Sequence, residues 1–479
     1  MEFIEIIINH LIYDIKSNQY SQQFIKLKFF KSFLFLIIIF FHFYINNNSK
    51  LNKLNLNKNY LNIQLNLNLT FQNTLKNKIK IGIYAYGLTN GGIARSTSLF
   101  LNNIYEIKIF DIFLFTQKKK EYNEYLIPKN IKRIVIKNAQ TENLIFTIQK
   151  MKIDILIYQF PNYDEINILN RLENIKIIYY QHSCSLYWIY YNYFSFKLLY
   201  KEYKNSKYII SLIPFENDYL FKKWGINSIL MNNFINYNYN SISPSNLTSK
   251  CILMIGRGID RMKRYELGIL AMKDIVKDIP ECEMKIISSL DYIDYLKDIV
   301  KNLNLENNIK FEGYTSTPEI YFKNASLHIF PTISESFGYV LSETKIYGIP
   351  SILVGLDYVS ISKGGTVIIY DDKPQTIANE AIKILKNDDY RKKLGNEARE
   401  SMKQFDNKLL LKRWIKLILS IFNGDNYYQK LRYQDKKISE NESLIILRNQ
   451  IELLKIRRIE FINFTIDELL NFTFMENFQ

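Results

Sequence analysis

From Lys78 onward the chain alternates short apolar runs with segments of helical period. The runs fall at 79–84, 107–115, 131–136, 153–158, 175–180 and 208–213. A second series follows at 251–255, 284–287, 309–311, 327–330, 351–354 and 366–370. Continuous apolar runs of this length suit strands covered on both faces, and helical segments between them make βαβ units on a parallel sheet. Residues 236–250, rich in Asn and Ser with one proline, separate the two series as a linker. The pattern predicts an α/β chain with two doubly wound, Rossmann-like domains, 78–245 and 246–405. Helical patterns continue over 406–422 and through a tail at 423–479.

Upstream, residues 1–28 are weakly patterned. The run FFKSFLFLIIIFFHFYI at 29–45 is almost wholly apolar from Ser32 to Tyr44. It falls short of the ~20 residues that a spanning helix prefers, a gap that snorkelling by Lys31 narrows. Small residues for signal cleavage are missing after Tyr44, so a membrane anchor is the expectation. Residues 46–77 form an Asn-Leu-Lys stretch that reads as a tether. In the tail, 444–461 sets Arg448, Lys455, Arg457 and Arg458 among Ile and Leu. That pattern is compatible with an interfacial membrane helix, a helix packed on the body or a self-association element.

Charge narrows the partners. With 63 Lys+Arg against 47 Asp+Glu the formal charge is +16. No nucleic-acid-binding module or aromatic-basic platform accompanies it, so phosphate-bearing substrates or an anionic membrane surface explain it better. The three cysteines, Cys184, Cys251 and Cys282, make neither a CxxC pair nor a disulfide framework. The four histidines are scattered, which leaves no metal cluster to expect.

The candidate chemistry centres on PTISESFGYVLSETKIYGIP, 331–350. Pro331 stops an apolar run, a polar loop follows, and a helix is predicted from Phe337 or Gly338 to Gly348. A helix N-terminus suits a phosphate. Glu335 in the loop and Glu343 in the helix stand up to roughly 12 Å apart, and carboxylates accept from sugar hydroxyls. Two solvated glutamates on a strand-loop-helix unit are the plain alternative. Elsewhere, Gly91-Gly92 open a helix, so backbone amides can approach an anion there. His182 ends a strand, where ligands bind in such sheets, or is a structural hydrogen bonder. Arg257 and Lys263 flank a strand-to-helix turn, as diphosphate-neutralising cations or as ordinary surface charge.

The stretch PTISESFGYVLSETKIYGIPSILVG resembles the E-x7-E signature of the retaining glycosyltransferases of family 4, which have the GT-B fold. Its Pro, Glu, Phe-Gly, Glu and Gly-x-Pro match in order and spacing, and the resemblance extends over about 79–422. It implies that Glu335 bonds hydroxyls of the transferred sugar and Glu343 the ribose. Ser336, Phe337 and Gly338 would offer backbone donors to the phosphates. Gly91, Gly92 and Arg95 resemble the family's GG…R element near the donor phosphate and acceptor. His182 would lie near the transferred sugar, and Arg257 with Lys263 would grip the donor diphosphate. The last helix, 406–422, would cross back to the first domain. Two departures stand out: Arg264 replaces a glycine that often follows the Lys, and IISSLDY at 286–292 replaces a glycine-rich turn near the base.

The resemblance implies a retaining transferase that moves a hexose from a UDP- or GDP-sugar to a glycan or lipid-linked acceptor. It implies no metal and no cofactor besides the nucleotide-sugar co-substrate. The alternative is a non-catalytic, sugar-nucleotide-binding subunit, which the retention of Arg257, Lys263, Glu335 and Glu343 disfavours. A dinucleotide oxidoreductase fails for want of GxGxxG with a downstream ribose-binding acid. The expected location is a single-pass membrane protein on the cytosolic face of the ER, with the Golgi as alternative, and no nucleic acid as partner.

Overall fold

The computed structural model describes residues 77–457, apart from 90, 137–140, 160–162, 171, 173, 192, 237–238, 259–260, 290, 316 and 427–437. The apolar run at 29–45, expected to anchor the chain, lies outside the described residues. Among the described residues no helix is long and apolar enough to cross a membrane.

Two parallel sheets form the body. The first holds β1 (Ile79–Ala85), β2 (Phe110–Thr116), β3 (Lys132–Val135), β4 (Ile155–Tyr158), β5 (Lys176–Gln181), β6 (Tyr208–Ser211) and β7 (Ser228–Leu230). Its order is β3-β2-β1-β4-β5-β6-β7. The second holds β8 (Cys251–Ile255), β9 (Glu283–Ile287), β10 (Ile309–Phe311), β11 (Leu327–Phe330), β12 (Ser351–Val354) and β13 (Thr366–Ile369). Its order is β10-β9-β8-β11-β12-β13. The central strands β4, β8, β11 and β12 are buried along their whole length, which explains their uninterrupted apolar composition.

The expected strands form close to their predicted limits, with two differences. β2 starts at Phe110 because residues 107–109 make a turn, Ile107 N–H donating to Ile104 O and Phe110 N–H to Ile107 O. β7 was not expected: three residues, Ser-Ile-Leu, are too few to show a period, and pairing with β6 creates it.

Both sheets reverse direction of growth once, between β1 and β4 and between β8 and β11. Crevices at the carboxyl ends of strands beside such switch points are where doubly wound sheets bind ligands. Helices placed there are α1 (Gly92–Ile104) after β1, α2 (Ser185–Tyr191) after β5, α3 (Tyr265–Asp278) after β8 and α4 (Tyr339–Ile346) after β11.

Two later helices complete the body. α5 (Asn407–Asn423) packs on the first domain, its Trp414 ring 4.7 Å from Phe100 and 5.7 Å from Tyr180. Arg413 donates to Leu230 O and Lys176 to Phe422 O along the same face. α6 (Glu440–Ile456) lies on the second domain, with Leu453 in its core and Gln450 donating to Gly355 O at 2.6 Å. Of the three roles open to this tail segment, packing on the body is the one observed.

Candidate functional site

The second domain presents the charged half of the site. Beyond β11 the chain turns through Pro331–Ser336, and Gly338 caps α4 with φ +82°. That left-handed backbone suits glycine and disfavours a residue with a Cβ. It turns the chain sharply from the loop into α4. Glu335 sits one turn before this end and pairs with Lys263. Lys263 in turn lies 5.1 Å over the Phe330 ring and packs along Gly256. The two cations proposed for a diphosphate flank one turn: Arg257 is exposed and Lys263 half-buried. Ser336 is half-buried, while Phe337 and Gly338 are buried.

The first domain brings its own groups against this surface. Arg95, on α1, reaches across and pairs with Glu343 on α4, and its guanidinium stacks 4.8 Å over the Tyr339 ring. Glu343 keeps only 4% of its side chain exposed. Burial works against a charged Arg95, but the adjacent Glu343 carboxylate outweighs it and holds the guanidinium above its ordinary value. Burial pushes Glu343 up, and Arg95 pulls it partly back. A carboxylate taken out of water needs such a partner. At the head of the same helix, Arg257 Nη1 comes within 3.4 Å of the position a Cβ on Gly91 would take. Gly92 beside it is exposed. Gly91, Gly92, Arg95, Arg257, Lys263, Glu335 and Glu343, spread over 253 residues of sequence (91 to 343), thus lie around one junction.

His182 ends β5 on the first-domain side. Its Nε2 stands 2.7 Å from Gln159 Oε1, and its ring stacks on Tyr180 with centroids 4.2 Å apart. With the amide oxygen as acceptor, Nε2 carries the hydrogen and Nδ1 keeps the lone pair. Burial holds the imidazole down at about 3, so it is neutral at physiological pH. Gln159, fully buried just beyond β4, leaves its amide nitrogen without a hydrogen-bond partner among the described residues.

A buried chain ties the two halves together. The Glu216 carboxylate, in a π-helical turn at Glu216–Leu220, accepts from Ser185 N–H at the start of α2. Burial raises its pKa to about 8, against the lowering effect of the Ser185, Cys184 and Leu186 donors. Cys184 lies beside both Glu216 and the Tyr358 hydroxyl of the second domain, and burial pushes its thiol up. Tyr358 Oη accepts from Glu335 N–H at 3.2 Å. Nearby, Tyr187 Oη reaches Met262 Sδ at 3.0 Å and Ser360 Oγ donates to Leu212 O at 2.9 Å, both across the two domains.

Sequence reasoning missed Gln159, Glu216, Tyr339 and Tyr358. Tyr339 stands inside the signature stretch, and its place one residue after Gly338 was a usable signal. The other three are ordinary residues of apolar or polar runs, and only folding brings them to the site.

Residues 238–401 match the family model "Glycosyl transferases group 1". The chain therefore carries a domain of that family. It is 23% identical over 186 residues to poly(glycerol-phosphate) alpha-glucosyltransferase of Bacillus subtilis, covering 37% of this chain and 28% of that protein. The aligned segments span 28%, 35% and 47% of the lengths of three such curated relatives, less than half of each. Among solved structures, sucrose-phosphate synthase from Thermosynechococcus elongatus superposes with a TM-score of 0.61 at 15% identity, over 73% of this chain and all of that one. TarM from Staphylococcus aureus, in complex with Fondaparinux, alpha-GlcNAc-glycerol and UDP, gives 0.60 at 13% identity, over 72% of this chain and all of that one. At such identities the likeness establishes the fold, which is GT-B-like.

Proposed function

We propose that this chain is a retaining glycosyltransferase that moves a hexose from a UDP- or GDP-sugar to a glycan or lipid-linked acceptor. The observation that carries the reading is the junction of Arg95, Arg257, Lys263, Glu335 and Glu343 at the switch points of two parallel sheets. A UDP-sugar carries two anionic phosphates between two hydroxyl-bearing sugars, and the TarM complex contains the UDP part of such a molecule. Cations beside a helix N-terminus and carboxylates on either side complement that pattern of charge.

In this reading Arg257 and Lys263 neutralise the charge that grows on the diphosphate as the glycosidic bond breaks. The first amides of α4, with Ser336, Phe337 and Gly338, share that load. Glu335 accepts from hydroxyls of the transferred sugar and orients it, and Glu343 accepts from the ribose. Donor entry exchanges partners: Lys263 and Arg95 release their carboxylates to sugar hydroxyls and turn toward phosphate. Neutral His182 offers a lone pair without adding a charge beside the reacting sugar. Transfer proceeds without a metal, and the acceptor approaches between Gly91–Arg95 and the His182 loop. Attachment through 29–45 would hold the enzyme at a membrane, with the cytosolic face of the ER as its site.

A thermal-shift screen of UDP- and GDP-sugars on the full chain tests the donor. One nucleotide class should raise the melting temperature, and the shift should survive EDTA. Transfer of radiolabel from that donor should then fall sharply in Glu335→Ala. Unimpaired transfer in that variant removes the role given to Glu335, and stabilisation by no nucleotide removes the donor reading.

A further inference from the structure

The region that lines the Lys263–Glu335 turn is not complete within the segment matching the family. Residue 457, at the end of α6, lies beyond the matched 238–401, yet its side chain enters this turn. Arg457 Nη1 donates to Ile333 O at 3.1 Å, two residues before Glu335. Its Nε donates to Asp372 Oδ2 at 3.1 Å and Nη2 to Asp372 Oδ1 at 3.4 Å. Asp372 also accepts from Arg264, the residue that follows Lys263 and caps α3 in a left-handed conformation, φ +50°. Ile333 N–H closes the ring by donating to Met262 O at 2.9 Å.

We infer that Arg457 is a positioning residue that holds the Lys263 and Glu335 segments in register for the donor. Three arguments support it. First, the side chain is 5% exposed; Nη1 bonds Ile333 O on the Glu335 segment directly, while Nε and Nη2 bond Asp372, which in turn pairs with Arg264 on the Lys263 segment. A planar fork of this kind fixes geometry as well as distance. Second, the helix that delivers it is locked. Gly355 has φ +65°, and a Cβ there would come within 2.0 Å of Leu453 Cδ1, so helix and loop touch backbone to side chain. Gln450 and Asn449 both donate to Asp357 just beyond. Third, the charge does not cancel: two guanidiniums against one carboxylate leave +1 beside Lys263. That excess favours an anion such as the donor diphosphate.

The inference rests on the proposed donor reading for its purpose, though its geometry can be tested without any donor. Hydrogen exchange on the ligand-free full chain is compared among wild type, Arg457→Met and Arg457→Lys. Arg457→Met should accelerate exchange at 331–336 and 262–265 by roughly tenfold, with β1 and β8 unchanged. Arg457→Lys, which keeps the charge but cannot span Ile333 and Asp372 together, should fall between and serves if the Met variant does not fold. The midpoint for stabilisation by added UDP or GDP should rise in the same order. Unchanged exchange at 331–336, or acceleration spread evenly over the second domain, overturns the positioning role. If wild type responds to neither nucleotide, the donor reading fails while the exchange result still decides Arg457.

Discussion

The two faces of the junction solve the same packing problem with opposite chemistry. On the second domain the groups are ions held in pairs and triads: Lys263 with Glu335, and Arg264 and Arg457 with Asp372. On the first domain beyond α1 they are buried and uncharged: neutral His182 on Gln159, and Glu216 raised by burial to about 8. Charged groups at a half-open turn can exchange partners with an incoming diphosphate. Neutral buried groups cannot make that exchange, but they hold a loop rigid at little electrostatic cost. On the proposed reading, the charged face answers the donor's charge and the neutral face frames the acceptor.

The strongest way to break the comparison is at Arg95, which crosses it. Arg95→Met strands the Glu343 carboxylate in a buried site, a loss of about 3–5 kcal/mol by analogy with broken buried pairs. Glu343→Gln leaves the Arg95 guanidinium without its carboxylate, but that side chain is 18% exposed against 4% for Glu343 and keeps an amide oxygen to donate to, so it should cost less. Denaturant unfolding of both variants checks the order, and an equal or larger loss in Glu343→Gln would show that an unpaired Arg95 costs as much as an unpaired Glu343.

Next in size is Glu335→Ala. Removing one group that orients the substrate should lower transfer by about 10²–10³-fold with little change in melting temperature. His182→Ala, on the neutral face, should cost less in rate, on the order of tenfold. A larger effect at His182 than at Glu335 would invert the assignment of the faces.

A pH series sharpens the picture at Glu216. Its folded pKa, about 8, lies above the ordinary 4.5, so the native state keeps a proton that the unfolded state has lost between these values. Its contribution to stability is therefore complete below about pH 4.5 and is lost as pH rises through about 8. Glu216→Gln should show a flatter fall in stability over that window, read from denaturant midpoints between pH 5 and 8. Parallel curves for the two proteins would show that Glu216 is ionised when folded.

Legibility followed the same division. The second-domain groups lie in contiguous stretches: one strand, one turn, one helix cap. Order and spacing are visible in a one-dimensional pattern, and so Gly338, Glu335, Glu343, Arg257 and Lys263 stood out. The first-domain framework has no such stretch. Gln159, Cys184 and Glu216 come from the ends of β4, β5 and the segment after β6, and parallel strands collect residues far apart in sequence. Arg457 was noticed as one basic residue in an amphipathic tail, but its partners Asp372 and Ile333 are 85 and 124 residues away.

What the amino-acid order determined by itself was therefore local and periodic. Apolar runs too continuous for one-sided burial dictated two parallel sheets, and the turn residues dictated where helices start. Tertiary structure alone decided which carboxylate meets which cation, because ion pairs across a domain junction depend on relative placement that no period encodes. It likewise decided the protonation of His182 and Glu216, since removal from water, and no neighbour in sequence, shifts them.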